Sequence, residues 1–122
     1  MNARPPHESW SLPDTFPDPH DLQDWGLRPG ADRGAPQQHG LRLVGTERAL
    51  PEAGLWQCTP GSWPLRDIPY TEFVHMLHGH SLITDADGRT TELRPGDVLV
   101  LPRGWSGRWE VVETTRKLYF RS

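Results

Sequence analysis

The chain predicts an all-β fold, a sandwich or small barrel preceded by an extended Pro-rich N-terminal arm, on three observations. From residue 41 onward it breaks into short runs in which Val, Ile, Thr, Tyr, Phe and Trp dominate, the residue types that suit a pleated, half-buried surface. Gly, Pro and Asp punctuate these runs and supply the fixed or unusual φ values that turns require. No helical periodicity competes between residues 55 and 122, so seven or eight strands at this spacing fit a sandwich or barrel.

The elements follow in chain order. Residues 1–40 form the arm: Pro5, Pro6, Pro13, Pro17, Pro19, Pro29 and Pro36 each fix φ and remove a backbone donor. Trp10, Phe16, Leu22, Trp25 and Leu27 offer apolar groups for docking on the rest of the molecule, the alternative being a solvated tail. One helical turn fits "DPHDLQDW", with Asp18 as cap and Pro19 at the first helical position. Residues 41–122 form the barrel, through "LRLVG", "LWQCTP", "YTEFVHMLHG", "HSLITD", "RTTELRPG", "DVLVLPRG", "WEVVE" and "KLYFR". Asp87–Gly88 joins two alternating runs as a hairpin. Pro95–Gly96–Asp97 and Pro102–Arg103–Gly104 mark further turns.

Size and charge bound the function. The 122 residues suit one domain with one core. A net charge of −3 gives no overall basic field for nucleic acid or anionic membrane. Arg116, Lys117 and Arg121 form too small a basic cluster to change that, and the aromatics alternate with acids such as Glu110 and Glu113. The single cysteine, Cys58, cannot close an internal disulfide, which suits a reducing cytoplasm. No stretch approaches the ~20 apolar residues of a membrane helix, and residues 1–25 hold no signal-peptide core.

Two spacings then carry a family resemblance. "RPGDVLVLPRGW" sets Gly96, five residues, Pro102, one residue and Gly104, and "EFVHMLHG" sets Glu72, six residues and Gly79. In this order they resemble the second and first motifs of the cupin superfamily. Roughly residues 55–121 are similar to compact one-domain cupins grouped with the (S)-ureidoglycine aminohydrolase cupin domain. The resemblance implies a single cupin β-barrel, a small jelly roll.

The metal ligands that such a barrel usually carries are not matched. Counting back from Glu72 reaches Leu65 and Asp67, or Arg66 and Ile68, and counting on from Gly104 reaches Gly107. None is a histidine. The three histidines of "YTEFVHMLHGH" do not repair the set. Strand alternation puts His75 on the opposite face from Glu72, and His78, on the same face, lies about 20 Å along at ~3.3 Å per residue. A metal built within this strand is therefore not expected, and no cofactor is implied. Ligands from separate strands remain the alternative.

Glu72 and Lys117 are the expected catalytic pair. The resemblance implies a glutamate like Glu72, a tryptophan like Trp109 and a lysine like Lys117 around one cavity. On the last strand Lys117, Tyr119 and Arg121 share a face, with Leu118 and Phe120 on the other. Trp63 and Trp109 are expected as cavity walls, Trp105 at the mouth, and Tyr70 or Tyr119 as proton donors; Met76 shares the face of Glu72. Core packing is the plainer role for these rings, and a buried ion pair closing the barrel the plainer role for Glu72 and Lys117. The function expected is binding of a small polar metabolite, with metal-independent isomerisation, elimination or hydrolysis through Glu72 and Lys117. A metal enzyme with a non-standard ligand set and a non-catalytic metabolite-sensing module are the alternatives. A homodimer is the expected assembly, because exposed sheet edges invite pairing.

Overall fold

The computed structural model describes Ser9 and residues 22–46 and 49–122. Every regular element among them is a strand: β1 (Gln23–Leu27), β2 (Arg33–Gly34), β3 (Gln37–Thr46), β4 (Ala49–Cys58), β5 (Gly61–Leu65), β6 (Glu72–Asp85), β7 (Thr90–Leu93), β8 (Val98–Leu101) and β9 (Gly107–Arg121). All nine belong to one sheet, which curls over its own inner face. The expected all-β class and jelly-roll cup are observed. Among the described residues no helix is long and apolar enough to cross a membrane.

Strand β9 is the spine. Along one edge it pairs antiparallel with β6; along the other, residues 115–121 pair with β4 and residues 107–111 with β5. The far edge of β6 carries β8 at residues 72–75 and β7 at residues 81–84. Two half-sheets thus share the long strands β6 and β9, and the cup forms where these strands bend. The bend in β6 is at Gly79, whose φ is +89°. A Cβ there would run into the Thr114 carbonyl of β9, so only glycine fits.

The register between β6 and β9 slips around this point, between Met76 and His78, His78 and His80, and His80 and Ser81. Such bulges add a residue to one strand and reset which side chains point inward. Glu72, Val74 and Met76 are buried before the bulge, and Ser81 and Ile83 after it. The sequence runs 70–79 and 80–85 are therefore one kinked strand, as are the runs 109–113 and 117–121.

Residues 23–40 lie on the sheet. β1 pairs with β3, and β3 with β4. Trp25 fills the space above Gly40, where a Cβ would collide with the indole, and the Arg42 guanidinium lies 4.4 Å over the same ring. Trp10, Phe16 and half of the expected arm lie outside the described residues. Of the expected helical turn, residues 18–21 lie outside them and residues 23–25 are strand. Inside the cup Trp56 meets Trp63 and Trp109 edge-on, at centroid distances of 6.1 and 5.8 Å, the arrangement the ring quadrupoles favour.

Candidate functional site

Strand register brings the polar interior together. Glu52 on β4, Arg121 on β9 and Glu72 on β6 stand opposite one another in one cross-strand row. Opposite charges in directly facing positions attract. The next inward row holds Gly54, Tyr119 and Val74, and the row beyond it Trp56, Lys117 and Met76. At Gly54 the missing side chain leaves room for the Tyr119 hydroxyl, which a Cβ would approach to 2.9 Å. Lys117 and Arg121 are four residues apart, about 13 Å of strand, yet both reach Glu72 because the sheet curves and its inner side chains converge.

Both carboxylates are fully engaged. Glu72 Oε2 accepts from Lys117 Nζ at 2.7 Å, and its Oε1 from Arg121 Nε at 2.7 Å. Glu52 Oε2 accepts from the Tyr119 hydroxyl at 2.6 Å and from Arg42 Nε at 3.2 Å, while Arg121 Nη1 stands 3.5 Å from Glu52 Oε1. Rings cover the cations: Lys117 Nζ lies 4.5 Å from the centre of Trp56 and 4.4 Å from that of Trp109, and the Arg121 guanidinium 4.5 Å from that of Tyr70.

Burial and charge act on each proton. Burial pushes the Glu72 carboxyl up, but Lys117 and Arg121 outweigh it and hold the group below its usual range. For Lys117 burial wins over the attraction of Glu72, and its pKa falls below that of a free lysine. Tyr119 is raised, first by burial and then by its hydrogen bond to Glu52.

Around this pair lies a hollow of about 30 Å³, lined by Trp56, Trp63, Tyr70, Glu72, Trp109 and Lys117 among others. A second hollow, of about 290 Å³, is lined by Trp25, Arg42, Glu52 and Tyr119 among others. Arg28, Trp56 and Arg121 line both. The guanidinium of Arg28 reaches in from the segment after β1 and sits 5.2 Å over Trp63.

Comparison with known proteins adds the lineage. The EutQ-like cupin domain matches residues 47–119, more than half of the chain. The chain belongs to this cupin family. Among solved structures it is similar to a DUF861-family protein of unknown function from Pseudomonas syringae (18% identity, TM-score 0.74), covering 86% of this chain and 46% of that one. It therefore spans under half of the Pseudomonas protein. It is similar to a Salmonella typhimurium protein assigned as ethanolamine utilization protein Q (26% identity, TM-score 0.63, 79% and 76% of the two chains). The Clostridium difficile EutQ protein is similar in fold (19% identity, TM-score 0.60, 74% and 75%). No curated protein gives a significant match.

The metal-ligand positions that the cupin superfamily resemblance implies are not filled by ligands here. Glu72 spends both oxygens on cations, Asp67 is exposed in a loop with φ of +44°, and Gly107 has no side chain to offer. Among the described residues no three His, Cys, Asp or Glu side chains converge on one point. The clustered histidines disperse: His75 lies on the outer face beside Phe73, Val98 and Phe120, and beyond the bulge His80 Nε2 comes within 3.5 Å of Glu92.

Of the sequence-predicted residues, Glu72, Lys117, Trp63, Tyr70 and Trp109 meet around the small hollow. Tyr119 lines the adjoining one and serves Glu52. Met76 is fully buried in the core and does not line the hollow. Trp105 is held elsewhere, because its Nε1 donates to Asp85 Oδ1 at 3.0 Å at the β6–β7 end, where it lines a separate groove. Sequence reasoning missed Arg28, Arg42 and Glu52 as neighbours of this site. Arg121 was visible through strand alternation with Lys117, whereas the other three depend on pairings between distant segments.

Proposed function

We propose that this cupin binds a small polar metabolite beside the Glu72–Lys117 pair, with the indoles of Trp56, Trp63 and Trp109 covering its carbon skeleton. The buried 2.7 Å contact between Lys117 and Glu72 at the edge of a hollow carries this reading. At about 30 Å³ the hollow holds one water, so a metabolite enters only as side chains at its rim move.

The two groups suit different roles. Glu72, gripped by two cations, is a weak base and a strong counter-ion. Lys117, with a depressed pKa, gives up its proton more readily than a free lysine and serves as general acid, taking the proton back as an amine. Isomerisation, elimination or hydrolysis fits such a shuttle. Thermal-shift screening of small polar metabolites against the wild type and Lys117→Met tests the site: hits should vanish in the variant, and equal shifts in both would remove Lys117 from it. A hit that NMR shows bound but unconverted would favour the metabolite-sensing alternative.

A homodimer is proposed on a second observation. The outer face exposes Phe73, Val98, Val100 and Phe120, each about half accessible, and contiguous apolar surface of this kind marks protein contacts. Light scattering should give a dimer mass that Phe73→Glu lowers to that of the protomer.

A further inference from the structure

Among the described residues the charges around the two adjoining hollows are unequal, and this bears on which ligand they accept: four cations, Arg28, Arg42, Lys117 and Arg121, face two carboxylates, Glu52 and Glu72. Both carboxylates are already taken by Lys117, Arg121, Arg42 and Tyr119. Arg28 has no carboxylate partner among the described residues, and its Nε is buried without a hydrogen bond. A guanidinium stays charged; this one is half-buried, and Glu72 attracts it without bonding to it.

The backbone that carries Arg28 is fixed on both sides. Arg28 N donates to Pro36 O at 2.8 Å. Four residues later Asp32 is gripped by Arg108 at 2.6 and 2.8 Å and by Ser62 Oγ at 2.9 Å. The side chain lies on Trp63 and has no ion pair to break among the described residues. It stands where the two hollows adjoin, in the lining of both.

We infer that Arg28 is the gate and the charge receptor of the site: swinging off Trp63, it joins the two hollows and pairs two-pronged with the carboxylate of a small organic acid. This rests on the ligand site proposed above and adds the charge class of its ligand. The planar fork of arginine matches a carboxylate, and the indoles supply cover for the attached carbons. A free ammonium compound such as ethanolamine, by contrast, would add to the excess positive charge.

Calorimetric titration at fixed low ionic strength tests this, with malonate, inorganic phosphate, malonamide and ethanolamine as probes. Malonate should bind the wild type, and malonamide and ethanolamine should not. Arg28→Gln should weaken malonate about ten-fold or more without lowering the melting midpoint of the free protein. Arg28→Lys, which keeps the charge and loses the fork, should weaken it less. Malonate held by Arg28→Gln as tightly as by the wild type, phosphate preferred to malonate, or no probe bound at all would overturn the inference. Malonamide bound as tightly as malonate, and lost in Lys117→Met, would overturn it while leaving the ligand site standing.

Discussion

On β9 the side chains entering the cup are Lys117, Tyr119 and Arg121, whereas those leaving it are Leu118 and Phe120; on β6, Glu72 enters and Phe73 leaves. The inner set is polar, with Glu72 buried to 3% and Lys117 to 5% exposure, while Phe73 is 47% and Phe120 45% exposed. Apolar burial alone would place these chemistries the other way round. Each face therefore needs its own account. Inside, Arg121 stands between Glu52 and Glu72, Lys117 supplies the second cation to Glu72, and Arg28 is left to meet a ligand. Outside, the apolar patch is proposed to meet a second copy.

Substitutions that blur this contrast should have graded effects. Glu72→Ala strands Lys117 beside Arg121 and should cost about 3–5 kcal/mol in urea denaturation. Replacing Lys117 as well, Glu72→Leu with Lys117→Met, should recover part of that loss, Arg121 keeping only Glu52 at 3.5 Å, while abolishing ligand binding. Gly79→Ala attacks the bulge that resets the two faces. With φ at +89° and the Thr114 carbonyl in the way, it should cost about 2 kcal/mol or more in the same assay. Phe73→Glu, on the outer face, should change protomer stability by less than about 1 kcal/mol, its effect falling on mass by light scattering.

The legible parts of the sequence were those governed by near neighbours. Asp87–Gly88 makes its hairpin, with Gly88 N bonded to Asp85 O at 2.9 Å and Asp85 N to Arg89 O at 2.8 Å. Alternation along residues 117–121 gave the inner face of β9 correctly. His78, assigned by the same alternation to the face of Glu72, follows the strict pattern only as far as Met76, where the bulge begins. Glycine within a strand pattern was the available sign. Glu52 lies between the runs 41–45 and 55–60, and Arg28 reads as part of a Pro-rich arm. Their places around Arg121 come from β4 pairing with β9 and from the anchoring of Asp32 on Arg108, contacts that no local pattern announces.

A pH titration of Lys117 by NMR of 13C-labelled lysine, assigned with Lys117→Met, tests most directly whether its ammonium lies inside the cup against Glu72. Because burial outweighs the pull of Glu72, the midpoint should fall below the ordinary 10.5, and Glu72→Gln should lower it further by removing that pull. A midpoint at or above 10.5 that ignores Glu72→Gln would describe a solvated lysine and contradict the account.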